Sequence, residues 1–263
     1  VSTEWGPVRF FRNEQGKLVD QTEAAGLHDL LGWWTGIQGA DIDNDGDIDY
    51  LATNFGFNTK YKVSAEAPEI LFYGDFEGNG RKRIVEAGFE DGVCYPHRGF
   101  SCSRNAMPSL GKQHASFHSF ATKTLAELYP EQRLAAATRH EANTLQSGIF
   151  VNGGTGKFTF RPLPRLAQAA PIFAMVFSDL ERDGDLDLCA VGNSFSPQAE
   201  TGDVSRRVYL EVGQDFGRHL VQRRDGVDAS LHGRFRYPSA EIGIEEDAAT
   251  YRFGQNQCVA DLR

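Results

Sequence analysis

Short apolar runs, interrupted by glycine- and asparagine-rich turns, recur along this chain. Residues 149–158 (IFVNGGTGKF) and 9–18 (RFFRNEQGKL) each place a turn of the Asn-Gly type between two apolar runs. That arrangement is typical of a β-hairpin. Two further pairs of apolar runs, GIQGA with IDYLAT in 36–53 and FAMVF with LDLCAV in 173–191, flank acidic segments. The dominant pattern therefore predicts short β-strands.

Two of these motifs recur in the same order, which indicates an internal repeat. Asp41 lies 28 residues after Asn13, and Asp179 lies 27 residues after Asn152. Repeats of short strands and glycine turns usually stack as the four-stranded blades of a β-propeller, because one blade cannot bury both of its faces alone. We therefore predict an all-β fold, with a single β-propeller-like domain over 1–263 and about four to five blades. The pattern leaves open whether the propeller is complete in this chain.

One segment interrupts the repeat. Between 108 and 147, apolar residues recur at roughly helical spacing, and Pro130 separates the two halves of this stretch. The stretch follows a turn-rich region, so 91–147 is predicted to be a turn-rich and helical insertion carried on a blade. Cys94 and Cys102 lie in the turn-rich part. Their spacing is compatible with a local disulfide and with two unbridged thiols.

The net charge of −9 is concentrated in two short segments. Residues 41–49 (DIDNDGDID) carry a net charge of −5 and residues 179–187 (DLERDGDLD) carry −4, so the rest of the chain is neutral overall. The sequence pI is about 5.3 and the basic residues are scattered, which argues against a nucleic-acid-binding protein. No run of 18 apolar residues occurs, so the sequence predicts no transmembrane segment.

Both acidic segments have the spacing of calcium-binding loops. Carboxylates occupy positions 1, 3, 5 and 9, glycine at position 6 permits a sharp turn, and position 7 offers its main-chain carbonyl. Hard oxygen ligands at this density suit Ca²⁺ better than Mg²⁺, which keeps several waters. An EF-hand would need Glu at position 12 and flanking helices, and neither is present. The predicted ligands in loop 1 (41–49) and loop 3 (179–187) are Asp41, Asp43, Asp45, Asp47 and Asp49, and Asp179, Glu181, Asp183, Asp185 and Asp187.

A weaker copy, loop 2, spans residues 75–83 (DFEGNGRKR). It keeps Asp75, Glu77 and Asn79 as weaker candidate ligands, but Arg83 replaces the acid at position 9. The segment carries a net charge of +1, so a divalent ion would be poorly compensated there. We expect two Ca²⁺ ions in the chain and regard a third as doubtful. The guanidinium of Arg83 is the candidate replacement for the third ion.

The sequences around the three loops resemble the FG-GAP/VCBS repeat family. The resemblance covers roughly residues 4–202 and is carried by GADIDNDGDIDYLATNFGFNTKY, LFYGDFEGNGRKRIVEAG and FSDLERDGDLDLCAVGNSF. These repeats are similar to those of integrin α subunits and of secreted bacterial repeat proteins. The resemblance implies a β-propeller whose inter-strand loops hold Ca²⁺, in a secreted or cell-surface protein. Its ligand positions fall on the acids of loops 1 and 3, whereas Arg83 departs from the pattern.

A few residues outside the loops carry candidate chemistry. His114 and His118 have the i, i+4 spacing of a helical zinc site, although two surface histidines explain that spacing more simply. Trp33 and Trp34 follow the pattern of sugar-stacking residues, but packing between blades is the more frequent role of such residues. Cys102 and a distant histidine would be a nucleophile pair, against the simpler interpretation that the thiol is bridged or packed.

These observations lead to two hypotheses from different functional classes. The first is a calcium-binding, non-enzymatic β-propeller scaffold for recognition or adhesion, in an extracellular, cell-surface or periplasmic protein whose partner is a protein or carbohydrate ligand. The alternative is a polysaccharide-acting enzyme, or its accessory carbohydrate-binding domain, with a site in the 94–147 insertion. The two differ in whether His114, His118, Cys102 and Arg98 share a pocket.

Overall fold

Short β-strands make up most of the regular structure in the computed structural model of the chain. The structure describes residues 1–179, 182, 184–194, 204–211, 219–223, 235–237 and 240–242. The strands are β1 (Glu4–Pro7), β2 (Phe11–Glu14), β3 (Lys17–Asp20), β4 (Leu31–Trp33), β5 (Gly36–Ala40), β6 (Asp49–Thr53), β7 (Glu69–Gly74), β8 (Arg83–Glu90), β9 (Val93–Pro96), β10 (Thr138–Ala142), β11 (Gly148–Asn152), β12 (Phe158–Pro162), β13 (Ala174–Ser178), β14 (Asp187–Ser194), β15 (Val204–Glu211), β16 (His219–Arg223), β17 (Phe235–Tyr237) and β18 (Ala240–Ile242). The helices are α1 (Phe100–Ala106), α2 (Pro108–Gln113), α3 (Phe117–Ala121), α4 (Leu125–Leu128), α5 (Glu131–Ala136) and a 3₁₀ helix (Arg165–Ala169).

Three four-stranded antiparallel sheets contain the three acidic loops. Sheet 1 has the strand order β12-β11-β6-β5, sheet 2 has β10-β7-β8-β9 and sheet 3 has β13-β14-β15-β16. The remaining strands pair as β1 with β4, β2 with β3 and β17 with β18. The prediction of a mainly β fold is therefore confirmed. Among the described residues the strands form separate sheets, and no closed ring of blades is present.

Sheet 1 is built from two hairpins that are far apart in sequence. Strands β6 and β11 pair with Leu51 opposite Ile149 and Ala52 opposite Gly148. Residues 54–147, which include all of sheet 2 and helices α1 to α5, are inserted between these two strands. A bulky side chain at Gly148 would collide with Phe160 of β12, because an added Cβ would lie 2.4 Å from that ring.

Both faces of sheet 1 are buried, since successive side chains of a strand point to opposite faces. Leu51 and Ile149 lie in a core shared with Leu188 and Ala190 of sheet 3. Phe150 lies in a second core, formed on the other face with the N-terminal segment. Sheets 1 and 3 are thus packed face to face, and strands β5 and β13 are in contact.

Helices α1 to α5 cover one face of sheet 2. Ile70, Phe72 and Val85 of the sheet form a core with Phe100, Leu125 and other apolar side chains of the helices. Capping boxes start two of these short helices, at Ser116 for α3 and at Thr124 for α4. The helical segment predicted between 108 and 147 is thus only partly correct, because the helices begin at Phe100 and end at Ala136.

The last part of that predicted helical segment is strand β10. Arg139 of β10 lies opposite Phe72, and Glu141 lies opposite Ile70, in antiparallel pairing with β7. Hydrogen bonding to the edge of sheet 2 overrides the weak local preference for a helix. The predicted insertion, residues 91–147, thus has a strand of sheet 2 near each of its ends, β9 and β10. No described helix has the length and apolar character needed to cross a membrane.

Candidate metal centre

Loops 1 and 3 each join an edge strand to an inner strand of their sheet, whereas loop 2 joins the two inner strands of sheet 2. Each joins two neighbouring antiparallel strands, β5 to β6 for loop 1, β7 to β8 for loop 2 and β13 to β14 for loop 3. Each has positive φ angles at positions 4 and 6, a conformation that Asn and Gly tolerate best. These angles are 58° at Asn44 and 94° at Gly46, 71° at Gly78 and 80° at Gly80, and 59° at Arg182 and 96° at Gly184.

The same hydrogen bond closes each loop. The N–H of the glycine at position 6 donates to Oδ2 of the aspartate at position 1, over 3.1 Å in loop 1, 2.8 Å in loop 2 and 3.1 Å in loop 3. Loops 1, 2 and 3 thus share this hydrogen bond and the positive φ angles at positions 4 and 6, among the loop residues that the structure describes.

The carboxylates of loop 1 converge. Asp41, Asp43 and Asp45 each offer an oxygen atom within 4.8 Å of the others, and among the described residues no other such group of three ligands occurs. Oδ1 of Asp43 is shielded from solvent and has no hydrogen-bond partner in the described part of the chain. Burial, followed by the charges of neighbouring acids with Asp49 first, raises the pKa of Asp43. A buried, unpartnered anionic oxygen among acids fits a bound cation.

Asp41 and Asp45 also organise the backbone of loop 1. Asp41 Oδ1 accepts the N–H of Asp45 over 3.1 Å, and Asp45 Oδ1 accepts the N–H of Asp47 over 2.9 Å. A carboxylate oxygen has two lone pairs, so these bonds leave capacity for a metal ion. The donor set therefore fits an oxygen-liganded divalent cation, with the main-chain carbonyl of Asp47 as the further ligand expected from spacing.

Asp49 lies beneath the loop and is 1% exposed. Its Oδ2 accepts the N–H of Ile42 over 3.1 Å, and its Oδ1 accepts the N–H of Asn152 over 2.8 Å. The Asn152 side chain in turn donates to the carbonyl of Ile48 over 3.2 Å. Asp49, predicted as a ligand, thus also fastens loop 1 to strand β11.

The β11–β12 hairpin contributes contacts that the sequence did not identify as part of the site. Gly154 has a φ of +73°, and an added Cβ would lie 2.9 Å from Oδ2 of Asp47. Asn152 and Gly154 belong to the hairpin motif of residues 149–158, in which Asn152 lies 27 residues before Asp179 of loop 3. That spacing gave no indication that the hairpin contacts loop 1. The pairing of β6 with β11 brings them together.

Loop 3 matches loop 1 at the positions that the structure describes. Asp187, at position 9, is buried with 4% exposure, as Asp49 is. Nδ2 of Asn44 in loop 1 donates to Oδ1 of Asp185 in loop 3 over 3.3 Å, so the two loops touch. Glu181 and Asp183, two of the predicted ligands, lie outside the described residues.

Loop 2 has the same backbone but satisfies its acids with protein donors. Asp75 accepts the N–H groups of Gly78, Asn79 and Gly80 over 2.8, 3.2 and 2.8 Å. Glu77 accepts the N–H of Ser109 in α2 over 2.9 Å and the side-chain amide of Asn79 over 3.0 Å.

Hydrogen bonds lower the pKa of both acids, led by the N–H of Gly80 for Asp75 and the N–H of Ser109 for Glu77. Loop 2 therefore differs from loop 1 in that neither Asp75 nor Glu77 has a buried oxygen without a hydrogen-bond partner.

The cations around loop 2 are not arranged as expected. Arg83 donates from Nε to the carbonyl of Ala106 over 3.0 Å and from Nη1 to the carbonyl of Lys82 over 3.1 Å. Its guanidinium therefore links β8 to helix α1 and does not hydrogen-bond the loop carboxylates, although its charge helps to lower the pKa of Glu77. Arg133 of α5 lies over the loop, with Nη2 2.4 Å from where a Cβ would stand on Gly78.

The candidate residues of the insertion have separate surroundings. His114 follows α2 while His118 lies within α3, so the helical i, i+4 zinc geometry is not formed. The His114 ring packs edge-on against Phe100 and Phe120. Arg98 pairs with Glu86 over 3.4 Å, and Cys102 is exposed and forms no disulfide with Cys94.

Two surface pockets described by the structure are lined by N-terminal residues, in one case together with sheet 1. None of the four insertion residues His114, His118, Cys102 and Arg98 lines either of them.

The two tryptophans before loop 1 are packing residues in the structure. Trp34 is 2% exposed, and its Nε1 donates to the carbonyl of Gly6 over 2.9 Å. Trp33 packs against Trp5 and Phe55, with ring centroids 4.5 and 4.8 Å apart.

Comparisons with protein-family models, with curated proteins and with solved structures found no match to this chain.

Proposed function

We propose that this chain is a calcium-binding, non-enzymatic scaffold of the β-propeller type, related to FG-GAP/VCBS repeats, that serves recognition or adhesion. The observation that carries the proposal is the loop 1 cluster, in which three carboxylates converge around the buried, unpartnered Oδ1 of Asp43. Such a cluster repels itself unless a cation is bound.

The choice of Ca²⁺ follows from the donor set. All the candidate ligands are hard oxygen atoms, and several are carboxylates. Ca²⁺ accepts six to eight such ligands in a flexible geometry, whereas Mg²⁺ demands a near-ideal octahedron and retains waters. One ion in each of loops 1 and 3 would change their net charges from −5 and −4 to −3 and −2.

The blade architecture is supported by sheets 1 and 3, in which the four strands lie side by side in chain order. Each of the three four-stranded antiparallel sheets carries its acidic loop between two adjacent strands, and sheets 1 and 3 pack face to face. In a propeller, adjacent blades bury their faces against each other in this way. The bound ions would fix the loops that connect neighbouring strands.

Loop 1 also shows how an ion would stabilise the fold beyond its own loop. Asp49 accepts N–H groups from Ile42 and Asn152, so the base of the loop is bonded to strand β11. Fixing the loop would therefore fix the junction between the two hairpins of sheet 1. Exposed loops of this kind suit the millimolar Ca²⁺ found outside cells, which supports an extracellular, cell-surface or periplasmic location. The partner would be a protein or carbohydrate ligand of the scaffold.

Calorimetric titration of calcium-depleted protein tests the proposal. We expect Ca²⁺ to bind and the Asp45→Asn variant to lose one binding site. Asp29→Asn is the matched control, because it removes the same charge from an exposed aspartate outside the loops, with 89% side-chain exposure. Equal Ca²⁺ binding by wild type and Asp45→Asn would contradict the proposal.

A further inference from the structure

Asn152, at the end of strand β11, holds loop 1 at two successive residues. Its main-chain N–H donates to Oδ1 of Asp49 over 2.8 Å, and its side-chain Nδ2 donates to the carbonyl of Ile48 over 3.2 Å. Asp49 and Ile48 are positions 9 and 8 of the loop. Asn152 lies 103 residues after Asp49, and the pairing of β6 with β11 brings the two together.

Asp49 carries this contact across the base of loop 1. Its Oδ2 accepts the N–H of Ile42 over 3.1 Å. Ile42 lies between Asp41 and Asp43, two of the three converging carboxylates. The side chain of Ile42 is buried in the core that also contains Ile149 of β11. The segment that presents these carboxylates is therefore fixed by the core and by the bond to Asp49.

The turn that follows Asn152 also restrains Asp47, at position 7. An added Cβ on Gly154 would lie 2.9 Å from Oδ2 of Asp47, so the backbone of the turn packs close to this carboxylate. A residue at position 7 is expected to bind Ca²⁺ through its main-chain carbonyl. The hairpin therefore restrains Asp47 through its side chain, which is not the expected ligand.

We propose that Asn152 is a positioning residue of the loop 1 calcium site and that its side-chain amide raises the affinity of this site for Ca²⁺. This inference rests on the proposed calcium-binding function. The three carboxylates repel one another, so a free loop would have to be ordered against that repulsion when the ion binds. A loop that Asn152 already holds needs less ordering, and such preorganisation increases affinity. The site is thus completed by a hairpin that is distant in sequence.

Calorimetric Ca²⁺ titration of Asn152→Ser tests the proposal. Oδ1 of Asn152 accepts the N–H of Gly154 over 3.1 Å, and a serine hydroxyl supports a turn bond of this kind. Serine lacks the amide that donates to the carbonyl of Ile48. The loop 1 site is the one that Asp45→Asn removes. We expect its dissociation constant to rise roughly threefold to tenfold in Asn152→Ser, the effect of one hydrogen bond.

Asn13→Ser is the matched control. Oδ1 of Asn13 accepts the N–H of Gly16 over 2.8 Å in the β2–β3 hairpin, and these two strands form a sheet of their own. The control therefore changes a turn bond of the same kind in a hairpin that is not part of sheet 1. We expect it to leave the dissociation constant of loop 1 unchanged.

Melting temperatures with and without Ca²⁺ separate positioning from a purely structural role. A structural role would lower the melting temperature of Asn152→Ser equally in both buffers and leave the dissociation constant as in wild type. That result would overturn the inference and leave the calcium function standing. A wild-type protein with no Ca²⁺ site that Asp45→Asn removes would overturn both.

Discussion

Loops 1 and 2 have one backbone conformation and opposite electrostatic states. In loop 1, Oδ1 of Asp43 is buried without a partner, and burial beside other acids raises the pKa of its carboxyl. In loop 2, Asp75 and Glu77 are hydrogen-bonded by backbone N–H groups, which lower their pKa values. The same turn thus leaves Oδ1 of Asp43 without a partner in loop 1, whereas in loop 2 protein donors reach both acids.

The difference arises from the segments packed against each loop. Helix α2 supplies the N–H of Ser109 to Glu77, and Arg133 of helix α5 lies over Gly78. Loop 1 instead faces the acidic loop 3, through Asn44 and Asp185. The helical insertion therefore supplies loop 2 with a hydrogen-bond donor and a cation, Ser109 and Arg133.

The largest expected effect on stability comes from substitution at position 9, which is Asp49 in loop 1 and Arg83 in loop 2. Asp49→Ala would leave the N–H groups of buried Ile42 and half-buried Asn152 without their acceptors and should cost about 2–4 kcal/mol of unfolding free energy. Arg83→Ala, the equivalent change in loop 2, should cost less than about 1 kcal/mol because that side chain is only half-buried. Urea unfolding in calcium-depleted buffer measures both, and equal costs would contradict the roles assigned to these residues.

Removal of calcium should have the next largest effect. At a free Ca²⁺ concentration of about 100 times the dissociation constant, one bound ion stabilises the folded state by about 2.7 kcal/mol. Chelation with EGTA should therefore lower the melting temperature by roughly 5–10 °C for each ion removed in a domain of this size. Differential scanning calorimetry measures the change, and excess Mg²⁺ should not restore the loss. An unchanged melting curve would contradict cation dependence in loop 1.

Substitution of one acid in each loop tests whether the stability of that loop depends on calcium. Glu77→Ala removes the acceptor for Ser109 and should cost about 1 kcal/mol, equally with and without Ca²⁺. Asp43→Asn should abolish most of the calcium-dependent stabilisation and cost little in calcium-depleted buffer, because it removes an unpartnered charge. Thermal unfolding of both variants in the two buffers gives the comparison. A calcium-dependent cost for Glu77→Ala would show that loop 2 also binds an ion.

The smallest expected effect is on the pH dependence of stability. Hydrogen bonds lower the pKa of Glu77 in the folded state below its ordinary value of 4.5, so its carboxylate stabilises the fold above that pH. This contribution is lost as the pH falls through the lowered folded-state pKa. In calcium-depleted buffer, Glu77→Gln should therefore lose less stability than wild type between about pH 5 and pH 3. Identical slopes in chemical denaturation would argue against the bond to Ser109.

The local features of the fold could be predicted from the sequence. The runs 36–40 and 173–177 correspond to β5 and β13 within one residue, and 149–158 holds the β11–β12 turn. These elements depend on short apolar runs and on turn glycines, which are local properties. The spacing of acids likewise predicted three loops of one type.

The features that depend on distant pairing could not be predicted. Strand β10 forms because it pairs with β7, so its local pattern was misleading. The pairing of β6 with β11 across residues 54–147 brings Asn152 to Asp49, and helix α2 brings Ser109 to Glu77. No spacing within a loop shows whether a distant N–H group will reach its carboxylates.

The calcium stoichiometry of loop variants tests the central claim most directly. Equilibrium dialysis with elemental analysis should find two ions in wild type, one in Asp45→Asn, one in Asp179→Asn and two in Asp75→Asn. That result would show that loops 1 and 3 alone hold calcium. A wild-type protein with no bound Ca²⁺, or an Asp45→Asn variant that retains both ions, would contradict the account.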